Sequence, residues 1–142
     1  MELIKITIDL LLQLNYVAVL VATIVMFVVG FLWYGPIFGR LWMKYMGINP
    51  EEAKNISQKE MIPAYVVNFV GNFVEVTFLL FFTFLAATQF WHMALMLWIG
   101  FMLFNEMGAV FWMKKPWGFF FINSGYRLVS LLIAGFVLGL FF

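Results

Sequence analysis

The stretch YVVNFVGNFVEVTFLL, residues 65–80, lies inside a long apolar run and decides how this chain folds. About 20 apolar residues in a row are enough for a helix to cross a bilayer. Asn68, Asn72 and Glu75 interrupt the run at spacing i, i+4, i+7, which places them on one face of a helix. A charge at that depth is costly unless it faces protein and finds a partner. The stretch therefore predicts a membrane helix whose polar face packs against other helices.

Three further apolar runs of similar length accompany this one. We place the spans at about 15–35, 62–86, 92–112 and 118–140. The composition is 65% apolar and 11% charged, which a soluble fold of 142 residues could not cover. The runs lack the alternation of a barrel strand, so helices must satisfy the backbone. We predict one domain, residues 1–142, with an all-α fold: an integral membrane four-helix bundle in the lipid bilayer.

The segment of about 36–61 is the long polar connection between the first two spans. Asn49 before Pro50 is typical of a capped helix start. Ser57 followed by Glu60 at the third helical position is typical of a capping box. The second span begins either at that cap or near Pro63, which would interrupt a helix already begun.

Basic residues predict the topology. The first and third connections carry six of the eight, namely Arg40, Lys44, Lys54, Lys59, Lys114 and Lys115. Lys5 lies at the N-terminus, and Arg127 lies inside the fourth span. By the positive-inside rule, these two connections are cytoplasmic and both termini face outward. The N-terminal segment up to Leu12 has no basic n-region of a signal peptide, and its apolar residues predict a short helix or strand in the interface.

Two patterns concern symmetry and assembly. LWMKYMG (41–47) resembles FWMKKPWG (111–118), and each is followed by a helix with polar residues at i, i+4, i+7. The pattern is compatible with two parallel two-helix repeats, a construction found in transporters. Gly135-x-x-x-Gly139 in the last span is typical of close helix contact. It favours a homodimer or higher homo-oligomer.

The candidate site combines the polar residues of three spans. With a rise of about 1.5 Å per residue, Glu75 lies roughly 18 Å above Pro63, Arg127 roughly 14 Å above Gly118 and Glu106 roughly 12 Å above Lys114. All three therefore lie at similar depth and could meet. We predict a ligand- or ion-binding site built from eight residues: Asn68, Asn72, Glu75, Asn105, Glu106, Asn123, Arg127 and Ser130.

The charges of this site favour one function without excluding others. Arg127 would pair with Glu75 and favour its charged form, leaving Glu106 to be balanced by a proton, a cation or water. We expect small-solute or ion transport coupled to a proton or cation. Alternatively, the chain is a structural or accessory subunit whose polar stripes fix helix packing. A third alternative is a lipid- or quinone-binding protein, with a groove near Trp98 or Trp112, which share a helix face with Asn105.

Several functions lack their residues. The chain has no Cys and one His, His92, so thiol chemistry and a multi-histidine metal site are excluded. No basic cluster suits nucleic acid. We expect no cofactor, and an enzymatic role is disfavoured because no nucleophile–base arrangement is present.

Two stretches near the ends of the chain resemble a known family. The matching residues are Asn15-Tyr16, Gly30, Trp33-Tyr34-x-Pro36, Gly39, Trp42-Met43, Gly47, Ile122-Asn123-x-Gly125-Tyr126 and Leu128-Val129-Ser130. The chain resembles the prokaryotic membrane proteins grouped as domain of unknown function 1761. The resemblance implies a four-span protein in the cytoplasmic (inner) membrane and no assigned activity.

Overall fold

The structure, a computed structural model, describes residues 2–142 apart from the side chain of Leu3. No strand occurs in this range. The α-helices are α1 (Glu2–Leu12), α2 (Tyr16–Leu32), α3 (Gly39–Met46), α4 (Pro50–Lys54), α5 (Gln58–Leu85), α6 (Phe90–Leu97), α7 (Phe104–Phe111) and α8 (Trp117–Gly139). Two π-helical segments complete the chain: Trp33–Ile37 extends α2, and Trp98–Leu103 joins α6 to α7.

Four continuous helices are long and apolar enough to cross a membrane: Tyr16–Ile37, Gln58–Leu85, Phe90–Phe111 and Trp117–Gly139. The all-α class is therefore confirmed, and the number of long apolar helices agrees with the four predicted spans. They support a multi-pass membrane protein.

Side-chain caps fix where three helices begin. The side-chain oxygen Oδ1 of Asn15 accepts a hydrogen bond from the backbone N–H of Ala18 at the start of α2. Asn49 accepts from the N–H of Glu51 at the start of α4. The predicted capping box of α5 is also present, since Ser57 accepts from the N–H of Glu60 and donates to its Oε1. These caps replace hydrogen bonds that the first turn of a helix lacks.

Helix α5 begins at its cap and continues through Pro63. The alternative start near Pro63 is therefore wrong. The connection predicted at about 36–61 is also more structured than a polar loop, since it contains α3 and α4. Helix α3 ends at Gly47, whose φ of 74° is a left-handed conformation that glycine adopts without strain.

The apolar core occupies one half of the bundle. Its fully buried residues come from the first half of α2, the second half of α5, α6 and the second half of α8: Ala18, Val19, Ala22, Met26, Val76, Leu79, Leu80, Met93, Ala94, Leu131, Ala134 and Leu138. Small residues at spacing i, i+4 on α2 let the helices approach closely. The clustering also shows that consecutive spans run in opposite directions. We call this the packed half.

Gly135 and Gly139 lie in the packed half and contact the same chain. A Cβ at Gly135 would lie 3.2 Å from the Cβ of Phe90, and one at Gly139 would lie 3.7 Å from that ring. Gly135 is buried by this contact with the start of α6. Gly135 therefore serves close contact within the chain, whereas Gly139 is exposed. Homo-oligomerisation itself stays a prediction, as does the two-helix repeat.

Candidate functional site

Glu75 and Arg127 form a pair between α5 and α8. The Arg127 Nη1 donates to Glu75 Oε2 over 3.4 Å. The pairing predicted from their depth is therefore present. The Glu75 side chain is only 14% exposed, whereas the Arg127 side chain is 38% exposed. The carboxylate thus lies inside the protein, with the guanidinium between it and a more open region.

One oxygen of this pair is not satisfied. Glu75 Oε1 is buried and has no hydrogen-bond partner among residues 2–142. A buried carboxylate oxygen without a partner is unfavourable, and such groups are uncommon in stable interiors. The pair is therefore incomplete as a structural ion pair and leaves one position for a proton, a water molecule or a ligand group.

An open cavity of about 550 Å³ lies next to Arg127. Its walls come from the second half of the Tyr16–Ile37 helix, from α3, from the first half of α5, from α7 and from the first half of α8: Phe27, Gly30, Phe31, Tyr34, Gly35, Trp42, Met61, Ala64, Tyr65, Asn68, Glu106, Asn123, Tyr126 and Arg127. This volume falls in the usual range for small-molecule sites, about 300–1,000 Å³. We call this end of the bundle the open half.

Four of the eight predicted site residues line the cavity: Asn68, Glu106, Asn123 and Arg127. Asn123 accepts a hydrogen bond of 2.9 Å from the Tyr34 hydroxyl, which joins α8 to the end of the first span. Asn72 is buried and donates to Asn68 over 3.3 Å along α5. The asparagine stripe of α5 therefore leads from the interior to the cavity.

Asn105 and Ser130 are not part of the cavity wall. Asn105 is exposed, and its amide nitrogen donates to the carbonyl of Phe101 one turn earlier in its own span. Ser130 is buried, and its hydroxyl donates to the carbonyl of Arg127 over 3.2 Å. Both side chains thus form a hydrogen bond to a backbone carbonyl of their own span. Neither residue lines the cavity, and their part in a ligand site stays a prediction.

The π-helical segment Trp98–Leu103 explains why Glu106 and not Asn105 faces the cavity. An extra residue in a helical turn changes the direction of every side chain after it. Trp98, Asn105 and Trp112 therefore do not share the face that a regular helix predicts. Trp98 is half-buried, Trp112 is 88% exposed, and neither lines the cavity, so the groove expected near them is not where the cavity lies.

Two tryptophans that the sequence analysis did not assign to the site hold α8 in place. Trp33 and Trp98 are the first residues of the two π-helical segments. The indole N–H of Trp33 donates to the Ile122 carbonyl, and that of Trp98 donates to the Ser124 carbonyl, each over 3.0 Å. Their position beside helix carbonyls requires the three-dimensional packing and leaves no local sequence signal.

Aromatic residues of the cavity wall were also missed. The Tyr34 ring packs edge-on against Trp42 at 5.7 Å and against Tyr126 at 5.1 Å between centroids. Trp42 belongs to α3. Tyr126 is buried, and a Cβ at Gly30 would lie 2.8 Å from its hydroxyl. Because Gly30 has no side chain, it leaves the space that the Tyr126 ring occupies.

Two contacts connect helix α3 to the start of α8. The Lys115 ammonium donates to the Tyr45 carbonyl over 3.2 Å. The Tyr45 ring lies directly over Gly118, where a Cβ would overlap its hydroxyl. These contacts hold the aromatic residues of α3, including Trp42, against the spans.

The comparison with family models identifies the family. The model described as Protein of unknown function (DUF1761) matches residues 17–139. This chain belongs to the DUF1761 family. No curated protein and no solved structure matches it.

Five of the residues that carry the family resemblance line the cavity. Gly30, Tyr34 and Trp42 come from the N-terminal stretch, and Asn123 and Tyr126 come from the C-terminal stretch. Two further glycines of the motif allow close contacts, since Gly125 faces the Trp33 ring and Gly39 lies on the Tyr34 carbonyl. Part of the set of residues that carries the resemblance therefore lies in the wall of this cavity or directly beside it.

Proposed function

We propose that this DUF1761 protein transports a small solute, coupled to a proton or a cation. The observation that carries the proposal is the incomplete Glu75–Arg127 pair beside an open cavity. Ionisable residues within membrane helices are costly, and they commonly mark pathways of ions, protons and solutes. Here Arg127 of the pair and Glu106 both line the cavity of about 550 Å³.

The geometry supports this proposal better than a purely structural role. A structural polar cluster would be dry and fully paired, with no cavity beside it. Glu75 instead leaves one oxygen without a partner, and Arg127 borders open space. Glu106 also faces the cavity and has no ion-pair partner within 4 Å among residues 2–142.

Coupling would follow from the arrangement of the three charges. While Glu75 is charged, it attracts the Arg127 guanidinium inward. A proton on Glu75 would remove most of this attraction, and Arg127 would then turn toward the cavity and Glu106. The positive charge near the solute site therefore depends on whether Glu75 carries a proton. Binding of a solute and binding of a proton would be linked through Arg127.

The orientation of the chain belongs to the same proposal. The cavity lies in the half of the bundle whose connections carry Arg40, Lys44 and Lys115. Because basic connections favour the cytoplasmic side, we infer a cytoplasmic membrane in which the cavity opens inward.

The test uses the full chain in lipid, with Glu75→Gln and Glu106→Gln. Glu52→Gln removes an exposed carboxylate of α4 and serves as the matched control. Infrared difference spectra against pH should contain a carboxyl signal that one of the first two variants loses and the control keeps. In proteoliposomes on a solid-supported membrane, pH-dependent currents should depend on the same residues.

The solutes in this assay are choline, glycine and acetate, one for each charge type. If both Glu variants retain wild-type currents and proton coupling, the transport proposal is wrong. A carboxyl signal that is equal in all variants would lead to the same conclusion.

A further inference from the structure

Six of the fourteen residues that line the cavity are aromatic, and this has a bearing on what the cavity binds. Tyr34, Trp42 and Tyr126 form one packed group of rings, and Phe27 and Tyr65 form a second, with centroids 6.3 Å apart. The faces of such rings attract cations through their quadrupoles. The hydrogen bond from the Tyr34 hydroxyl to Asn123 holds the central ring in place.

The formal charges of the cavity add to this preference. Arg127 is the one cationic lining residue, and it is already paired with Glu75. Glu106 contributes a second carboxylate to the same lining, which also includes Tyr34. With one guanidinium and two carboxylates in their charged forms, the group has one negative charge in excess. A bound cation would remove that excess.

We propose that the cavity binds a small organic cation with an apolar body, such as a quaternary or tertiary ammonium compound. The cationic group would lie between Glu106 and the rings of Tyr34 and Trp42. The apolar body would lie against Phe27 and Phe31. This inference rests on the proposed transport function and names its class of substrate.

Other ligand classes fit the same walls less well. An inorganic anion would have to approach Arg127 against the charges of both Glu75 and Glu106. A multi-carboxylate metal site would need more ligands, and no group of at least three such residues occurs among residues 2–142. A neutral apolar ligand would leave the Glu106 carboxylate in contact with an uncharged surface, which is unfavourable.

The experiment measures binding of phenyltrimethylammonium to the full chain in lipid nanodiscs by calorimetry. Empty nanodiscs correct for partition into lipid, and tert-butylbenzene is the neutral ligand of the same shape. We expect the cation to bind at least about tenfold more tightly than the neutral ligand, as a desolvated cation–π contact and one carboxylate imply.

Four variants locate the site. Glu106→Gln and Trp42→Leu should each weaken binding of the cation about tenfold. Glu106→Asp should restore most of the affinity because it returns the charge. Trp112→Leu changes a tryptophan that is 88% exposed and outside the cavity, so it should leave the affinity unchanged.

Equal affinity for the two ligands, tighter binding of benzoate than of the cation, or unchanged affinity in Glu106→Gln would each overturn the organic-cation site. Failure of the transport proposal would look different. The cation would then bind in the expected pattern while proteoliposomes show no current that depends on Glu75. Conversely, Glu75-dependent currents for another solute, without binding of the cation, would refute the cation site alone.

Discussion

The packed half and the open half of the bundle are built from the same four spans, yet they differ in what fills the space between the helices. In the packed half, Ala22, Leu79 and Leu131 are fully buried in a continuous apolar cluster. In the open half, aromatic side chains surround a cavity of about 550 Å³. The difference shows that the continuous apolar core and the cavity with its polar residues lie at different positions along the helix axes.

The chemistry of the side chains explains the separation. Small and aliphatic residues interlock and leave no space, which allows close helix packing. In the open half, the Tyr34 ring packs edge-on against Trp42 and Tyr126, Asn and Glu side chains are interspersed among the rings, and a cavity remains beside them. Thr23 and Thr83 lie buried in the packed half without disturbing it, because each hydroxyl donates to a carbonyl of its own helix.

The largest effect is expected where the two halves meet, at Arg127. Replacing it in Arg127→Met would leave Glu75 buried without its one ion-pair partner among residues 2–142. We expect a loss of about 3 kcal/mol in the free energy of unfolding, at the low end for a broken buried pair because Arg127 is partly exposed. Steric-trapping measurements in bicelles would give this value. The double variant Glu75→Gln with Arg127→Met should recover most of the loss, and equal destabilisation in both would contradict the pairing.

A core truncation tests the packed half directly. Leu131→Ala should lower the free energy of unfolding by about 2 kcal/mol, because a fully buried side chain leaves a cavity behind. The matched change in the open half is Phe31→Ala, which shortens a side chain that is 64% exposed. It should change stability by less than about 0.5 kcal/mol. Similar losses in both variants would mean that the two halves are equally packed.

Gly30→Ala tests how tightly the cavity wall is supported. The new methyl group would lie 2.8 Å from the Tyr126 hydroxyl, so ring or helix must move. We expect a loss of about 1–2 kcal/mol from overpacking. Combining it with Tyr126→Phe should restore part of the stability, since the ring carbons still lie 3.3–3.4 Å away. Gly71→Ala on α5, where a Cβ meets nothing within 4 Å, is the neutral control.

The smallest effect concerns the start of α5 at the open end. Ser57→Ala removes the cap that accepts from the Glu60 N–H. The expected loss is about 0.5–1 kcal/mol, confined to the first turn of the helix. Hydrogen exchange of that turn should increase, whereas exchange near Leu79 should stay unchanged. Gln58→Ala alters the next residue without touching the cap, and protection equal to that of Ser57→Ala would argue against capping.

Composition and local patterns were sufficient to predict most of the fold. Hydropathy predicted four spans, and short-range capping rules predicted the start of α4 and one of the two alternative starts of α5, because each depends on residues close in sequence. The depth of Glu75 and Arg127 also followed from a constant helical rise. These features need no knowledge of the tertiary packing.

The remaining features depend on departures from a regular helix or on contacts distant in sequence. A π-helical segment in the third span turns Glu106 rather than Asn105 toward the cavity, and periodicity assumes no such segment. Helical spacing places Ser130 on the same face as Arg127. In the structure its hydroxyl donates to the Arg127 carbonyl within α8. The contribution of Trp33 could not be predicted either, because its partner carbonyl lies 89 residues away.

The two indole hydrogen bonds to α8 have a mechanical consequence. Trp33 and Trp98 belong to two different spans, and they donate to α8 carbonyls that are two residues apart. Together the two hydrogen bonds resist rotation of α8 about its own axis. Arg127 follows in the next turn and therefore has a fixed azimuth. If the Arg127 guanidinium moves between Glu75 and the cavity, the movement must then come from rotation about its side-chain torsions or from displacement of α5. Helix α8 would stay fixed during this movement.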